Sequence, residues 1–388
     1  MPHTLSNEVL TAWLRLSMTP GLGPILSQRL LSHFPNALAA ERSAPEQLRA
    51  LVPKALFEGL LFARGESVNR QIALALKWAE GPDQTILTPE HPLYPGLLRQ
   101  TADAPMVLYA KGNLSRLAQP ALAIVGARNA TPDGLENAKD FACALARRGW
   151  CVVSGLAQGI DAAAHRGALR AGEHGAGTIA VLGTGADVIY PRNHTDLSRN
   201  ILDSGGLIIS EFNLGTPARP QHFPRRNRIV TGLSHGVLVV EAALKSGSLL
   251  TARLAVEMDR EVFAIPGSIH SPLSRGPHAL IQDGAKLVET AEDILNELSM
   301  FNFPDSTIPY ISEKSATVCA SASNAASRSE PHSPIWNAIG YDPISEDTLQ
   351  QRTNMLPAIL QCELLTLELN GDIERRPNGS IVRARKRT

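Results

Sequence analysis

Apolar residues recur at near-helical spacing near the start of the chain: Leu10, Leu14 and Leu16, then Ile25, Leu26, Leu30 and Leu31. Pro20-Gly21-Leu22-Gly23-Pro24 interrupts the repeat, which predicts two helices joined by a Gly-x-Gly turn. Such a hairpin either offers backbone N–H groups to a phosphate or forms a small helical packing domain, and both readings stay open here. From Ala121 the pattern changes to short β-branched runs alternating with amphipathic stretches. The runs are 121–125, 151–154, 178–182, 207–210, 237–240 and 262–265. Six strands separated by helix-length crossovers predict a doubly wound, Rossmann-like parallel sheet of the α/β class. Ligands of such sheets bind beyond the carboxyl ends of the strands, so the loops that follow these runs are where function is expected.

Near Asn302 the chain becomes rich in Ser, Ala, Asn and Pro, with Ser315, Ser321, Ser323, Ser327 and Ser329 and little to bury, as in a flexible linker. Helical periodicity returns from Ile335 to Leu369. Two short runs then flank Arg376-Pro377-Asn378-Gly379, and the chain ends in Arg383, Arg385, Lys386 and Arg387. Helices followed by a hairpin suggest a winged helix-turn-helix. The expected organisation is a helical domain over 1–82, a Rossmann-like domain over 83–299, a linker over 300–333 and a winged helix over 334–388. A linker this polar predicts that the tail folds without being fixed to the body.

Composition narrows the field only slightly. Lys plus Arg and Asp plus Glu both total 37 of 388 residues, so affinity for a nucleic acid has to come from local clusters. Cys143, Cys151, Cys319 and Cys362 form no CxxC pair and no zinc spacing, which fits a reduced chain with no structural metal. There is no basic patch followed by an apolar stretch at the N-terminus, and no apolar run long enough to span a bilayer. A cytoplasmic protein is the expectation.

Several loops carry chemistry. The first run ends in Gly126-Ala127-Arg128, with Thr131-Pro132-Asp133 beyond it as cap, first-turn proline and first-turn acid, a geometry that cradles phosphate. The second delivers Ser154-Gly155 through Gly159-Ile160-Asp161. Its glycines do not match a dinucleotide fingerprint or a Walker loop, and Gly183-Thr184-Gly185 fails as well because Val188 stands where a third glycine is needed. Asp161 and His165 share a helical face and read as a helix-start acid and a structural histidine, with an acid–base dyad or half a metal site as the alternatives. Lys245-Ser246-Gly247-Ser248 is another polar turn into a helix, and Glu241 before it is either catalytic or a cap at the sheet edge. The densest cluster, Phe223-Pro224-Arg225-Arg226-Asn227-Arg228, is read as a basic loop before an apolar helix, able to meet successive phosphates. Arg192, in Tyr190-Pro191-Arg192-Asn193, comes from a different strand end and is placed to converge on the same groove.

In sequence, His91-Pro-Leu-Tyr-Pro95, Ala104-Pro-Met-Val-Leu-Tyr-Ala-Lys-Gly112, Val125-Gly-Ala-Arg128, Ser154-Gly-Leu-Ala-Gln-Gly-Ile-Asp161, Ser210-Glu211, Phe223-Pro-Arg-Arg-Asn-Arg228, Lys245-Ser-Gly-Ser248 and Phe263-Ala-Ile-Pro-Gly-Ser268 occur in order. This ordered set resembles the DprA/Smf family of DNA-processing proteins. The N-terminal helices resemble that family's sterile-alpha-motif-like or hairpin domain, and the tail its optional winged helix. The resemblance implies a homodimer that binds incoming single-stranded DNA, protects it and passes it to the recombinase RecA during natural transformation, with no catalytic residue, cofactor or metal. It places Arg128 in the family's glycine-serine-arginine loop, with Ala127 where a serine is usual, and Asn227 with its flanking arginines in the arginine-asparagine-arginine element.

The expected DNA-binding set is Gly126, Arg128, Ser154, Gly155, Arg192, Arg225, Arg226, Asn227, Arg228 and Lys245. Two other functions compete with it. A nucleotide N-glycosidic hydrolase would use Gly247-Ser248 with Glu257 downstream. A winged-helix transcription regulator would read duplex sequence through the tail.

Overall fold

In the computed structural model, residues 5–299, 335, 338–340, 342–369, 372–376 and 379–384 are described. The linker expected over 300–333 lies outside them, as do Arg385, Lys386 and Arg387.

Six helices open the chain, Asn7–Ser17, Pro24–Leu31, Ala37–Arg42, Pro45–Leu51, Lys54–Phe62 and Glu66–Ala79. The first begins at Ser6, whose hydroxyl accepts from Val9 N, and Pro24 starts the second at the position where a missing N–H costs nothing. Trp13, Leu14, Leu16, Leu30, Leu56 and Ile72 bury together. Ile25 and Leu26, which the spacing counts among the apolar repeat, are exposed instead; the turn pivots on Leu22, which is buried in their place. Gly59 allows the close approach of this turn, since a Cβ there would stand 2.3 Å from Pro20 O. The same apolar cluster continues into Ile86, Met106, Val107 and Tyr109, so the helices pack on one edge of the central sheet.

That sheet has nine strands: β1 (Gln84–Leu87), β2 (Leu108–Gly112), β3 (Ala121–Val125), β4 (Cys151–Ser154), β5 (Thr178–Val181), β6 (Leu207–Ser210), β7 (Gly236–Val239), β8 (Glu261–Ala264) and β9 (Lys286–Leu287). Their order is β1-β2-β6-β5-β4-β3-β7-β8-β9. The six expected strands are all present and parallel, β9 extends them, and β2 and β1 add an antiparallel edge beside β6. Period-two alternation divides β3 between the two faces. Ala121, Ala123 and Val125 face a core with Leu98, Ile229, Val230, Leu249 and Ala252, whereas Leu122 and Ile124 face Ala138, Phe141, Leu145, Ile160 and Ala164. Helices Pro132–Arg147 and Ile160–Arg170 thus cover one face, and His222–Gly232 and Gly247–Glu257 the other. The chain winds outward from β3 through β4, β5 and β6, then returns to β7 on the other side of β3. The crevice between the ends of β3 and β7 is therefore the topological switch point.

The C-terminal region is a winged helix. Helices Glu346–Thr353 and Pro357–Leu369 pack with the hairpin β10 (Ile373–Arg375) and β11 (Ile381–Arg383), burying Ile339, Ile344, Leu349, Leu360, Leu364, Ile373 and Ile381. It touches the body: Arg352 pairs with Asp133 in the first turn of helix Pro132–Arg147, and a Cβ on Gly340 would stand 2.4 Å from the same carboxylate. The expectation of a tail not fixed to the body is corrected to that extent, because a cation at one helix end meets an acid at the start of another. No helix among the described residues is long and apolar enough to cross a membrane.

Candidate nucleic-acid interface

At the switch point, the loop after β3 is held from three sides. Ala127 N donates to Glu241 O at 2.6 Å, Ile160 N to Ala127 O at 3.1 Å, and Ser248 Oγ to Gly126 O at 2.8 Å. Gly126 and Gly159 make this packing possible, since a Cβ on either would lie within 2.5 Å of Ile160 Cγ1 or Ala127 O. Ala127 is buried while Arg128 stands in solvent, its guanidinium 5.6 Å from the centre of the Phe223 ring.

The phosphate-cradle expectation is corrected in one respect. Thr131 does cap helix Pro132–Arg147, accepting from Gly134 N at 3.0 Å. The adjoining donors, however, already serve a carboxylate: Thr131 N and Oγ1 donate to Glu241 at 2.9 and 2.6 Å. After the neighbouring strand β4, Asp161, in the first turn of helix Ile160–Arg170, holds the loop that precedes it, accepting from Gly155 N at 3.1 Å and Ala157 N at 3.4 Å. The donors around both of these helix starts are thus already taken by protein acceptors. The third, Gly247–Glu257, begins at Ser246, whose side chain makes no capping bond and whose buried Oγ has no partner among the described residues. Lys245 is exposed beside it.

Ser154 and Gly155 are buried, which corrects the expectation that they line a groove. Ser154 Oγ donates to Ile124 O at 2.7 Å, tying β4 to β3. Gly155 is gripped on both sides, its N–H by Asp161 and its carbonyl by Arg226, whose guanidinium also donates to Val181 O. Burial pushes the Asp161 carboxyl up, while Arg226 and the two N–H donors pull it down. His165 shares the helix with Asp161 but turns to another task. Its Nδ1 meets Thr178 Oγ1 at 2.8 Å, that hydroxyl donates to Val152 O at 2.6 Å, and burial lowers the imidazole to about 3. The acid and the histidine are separate structural devices, not a dyad.

The arginine-rich stretch is a helix, His222–Gly232, where the sequence predicts a loop. Pro224 falls in its first turn, where proline is tolerated. Helical rotation sends successive side chains in different directions, so the cluster does not act as one basic surface. Arg226 points into the sheet end, with Nε donating to Asn227 Oδ1 at 3.1 Å. Arg228 is buried against Glu211 and Asp103. Arg225 is exposed, yet it donates to both Glu211 oxygens at 3.0 and 3.2 Å and lies 5.3 Å from the Phe212 ring centre. By contrast, Arg128, Arg192 and Lys245 are exposed and form no ion pair among the described residues. Of the expected DNA-binding residues, these three, with Arg225 partly engaged, are the cations that a solvent anion can reach; Arg219, in the loop between β6 and helix His222–Gly232, is exposed as well.

Sequence reasoning missed the aromatic partners. Tyr190 is half exposed with its ring 5.6 Å from Phe223, which lies under Arg128, and Phe212 stacks on His222 at 4.3 Å. Tyr190-Pro191-Arg192 and His222-Phe223 carry the available signal, aromatics close to cations, a pattern suited to nucleic acid. Of the residues that a hydrolase would use, Gly247 begins a helix and Glu257 ends it, about 15 Å away along its axis. Helix Pro357–Leu369 of the tail has no Lys or Arg and carries Glu363 and Glu368, with Ile359 and Leu365 exposed, which is unsuited to reading duplex DNA. Among the described residues no cluster of three or more His, Cys, Asp or Glu stands ready for a metal.

Comparison with known proteins agrees with this architecture. The family profile of DNA recombination-mediator protein A matches residues 85–299, and that of the DprA winged helix domain matches residues 320–379. Protein Smf of Escherichia coli K12 is 40% identical over 313 residues, covering 81% of each chain. DNA processing protein DprA of Streptococcus pneumoniae R6 is 46% identical over 204 residues, covering 53% of this chain and 71% of its own. The crystal structure of the Streptococcus pneumoniae protein superposes with a TM-score of 0.64 at 36% identity, covering 78% of this chain and all of its own. With more than half its length matched by the first profile and a relative this similar over four-fifths of both chains, the protein belongs to the DprA/Smf family of DNA-processing proteins.

Proposed function

We propose that the protein binds single-stranded DNA along the carboxyl ends of its central strands, performs no chemistry on it, and hands it to a RecA-type recombinase. The observation that carries the binding step is the alternation of free cations with aromatic faces: Arg128 over Phe223, Tyr190 beside it, and Arg192 two residues on. Cations meet phosphates, and aromatic faces accept unstacked bases whatever their identity. A duplex keeps its bases stacked inside and offers nothing to those rings. The uncapped helix start at Ser246, with Lys245, adds a second place for phosphate.

The hand-over to RecA, the homodimer and the cytoplasmic setting rest on family membership. Protection follows from the same grip, since a strand lying on the sheet ends is less accessible to nucleases. Fluorescence anisotropy with labelled oligo-dT and with a duplex of equal length tests the reading. Preference for the single strand, and RecA filament formation stimulated by the wild-type protein, support it; equal or tighter duplex binding rejects it.

A further inference from the structure

Glu241 follows β7 at the switch point, directly across from the loop after β3. Its main-chain carbonyl accepts from Ala127 N at 2.6 Å. Its carboxylate accepts from Thr131 N at 2.9 Å through one oxygen and from Thr131 Oγ1 at 2.6 Å through the other. One residue therefore holds both ends of a five-residue segment, 127–131, and Arg128 is inside it. The fold makes room for this: Gly134 has no side chain, and a Cβ there would come within 2.4–2.7 Å of the carboxylate atoms. Burial pushes the Glu241 carboxyl up, opposed by the Thr131 donors, and Asp133 adds to the upward push. A carboxylate at the rim of an anion site is a liability unless its charge is used, and here both oxygens are occupied by Thr131.

We propose that Glu241 is a positioning residue for Arg128: by clamping residues 127 and 131 it fixes where the Arg128 guanidinium stands over Phe223. The proposal rests on the reading of Arg128 as a phosphate contact. Glu241 is then neither a catalytic acid nor only a filler of the sheet edge. Freed from the clamp, the loop keeps its arginine but samples many positions, so the phosphate contact is made at a higher entropic cost.

The test measures oligo-dT affinity for wild type, Arg128→Ala, Glu241→Asp and the double variant, with thermal melts for each. Glu241→Asp keeps the charge but is one methylene too short to span to Thr131, and should weaken binding roughly tenfold. It should also flatten the log affinity against log salt plot by about 0.7, the equivalent of one phosphate contact. In the Arg128→Ala background the same change should add nothing, because there is no arginine left to position. Glu241→Ala, which removes the acceptor altogether, should repeat the loss if the aspartate variant folds poorly. Unchanged affinity in Glu241→Asp beside a weakened Arg128→Ala overturns the proposal, and so does an undiminished effect in the double variant. If Arg128→Ala itself binds normally, the reading of the site fails and the proposal falls with it.

Discussion

The guanidinium of Arg226 occupies the space that a side chain on Gly155 would need: a Cβ there would lie 2.3 Å from the guanidinium carbon. Arg226 donates to the Gly155 carbonyl while Asp161 accepts from the Gly155 N–H, so one residue is gripped by a buried cation and a buried anion. Removing the arginine leaves Asp161 buried without its partner. Arg226→Ala and Gly155→Ala should each lower stability by about 3 kcal/mol, read from urea unfolding. Arg128→Ala should stay within about 0.5 kcal/mol of wild type. A stable Arg226→Ala protein would show that this arginine is free for other contacts.

A parallel contrast separates Arg228 from Arg192. Arg228 neutralises Glu211, whose side chain is only 3% exposed. Arg228→Ala should therefore destabilise the fold by about 3 kcal/mol, and any loss of DNA binding should follow the loss of folded protein. Arg192→Ala should leave the melting temperature in place and weaken oligo-dT binding, with a salt slope reduced by about 0.7. The reverse pattern, a stable Arg228→Ala and an unaffected Arg192→Ala, would exchange their assigned roles.

Much of this is readable in the chain. The six β-branched runs form six parallel strands because buried strands need continuous apolar sequence. The outer strands β1 and β2 escape notice: Gln84–Leu87 and Leu108–Gly112 are short and pair antiparallel with one another, and only their distant partner β6 makes them part of the sheet. The arginine cluster misleads for a physical reason. Pro224 looks like a loop signal but sits in a first helical turn, and the acid that engages Arg225 and Arg228 comes from the end of β6, 14 and 17 residues earlier. Local sequence does not reveal which cations a tertiary partner has already claimed. Arg128 and Arg192 are legible as cations at strand ends. The surface they share with aromatic rings is not, because Phe223 reaches Arg128 and Tyr190 only through the fold.

His165 gives a pH test. Burial lowers its folded value to about 3, against an unfolded value near 6.5, so the unfolded chain binds one more proton between those pH values. This contribution to stability is complete above about pH 6.5 and falls as pH drops towards 3. His165→Gln should make the pH dependence of urea unfolding shallower by as much as about 1.4 kcal/mol per pH unit in that window. An identical pH dependence in the two proteins would mean that His165 titrates normally.

The tail is attached to the body by a contact that salt can weaken. Arg352 and Asp133 are both partly exposed, so the pair is worth at most about 1 kcal/mol and screens with ionic strength. Asp133→Arg should release the winged helix, seen as an increase in radius of gyration by small-angle scattering, and combination with Arg352→Asp should restore the compact form. Identical scattering from wild type and Asp133→Arg would mean that other contacts hold the domain.

The most direct test of the central claim is a salt titration of oligo-dT and duplex binding for wild type and Arg128→Ala. The account predicts tighter binding of the single strand by wild type and a slope lower by about 0.7 in the variant on oligo-dT alone, with the fold intact. Equal affinity for duplex and single strand, or an unchanged single-strand slope when Arg128 is removed, would contradict it.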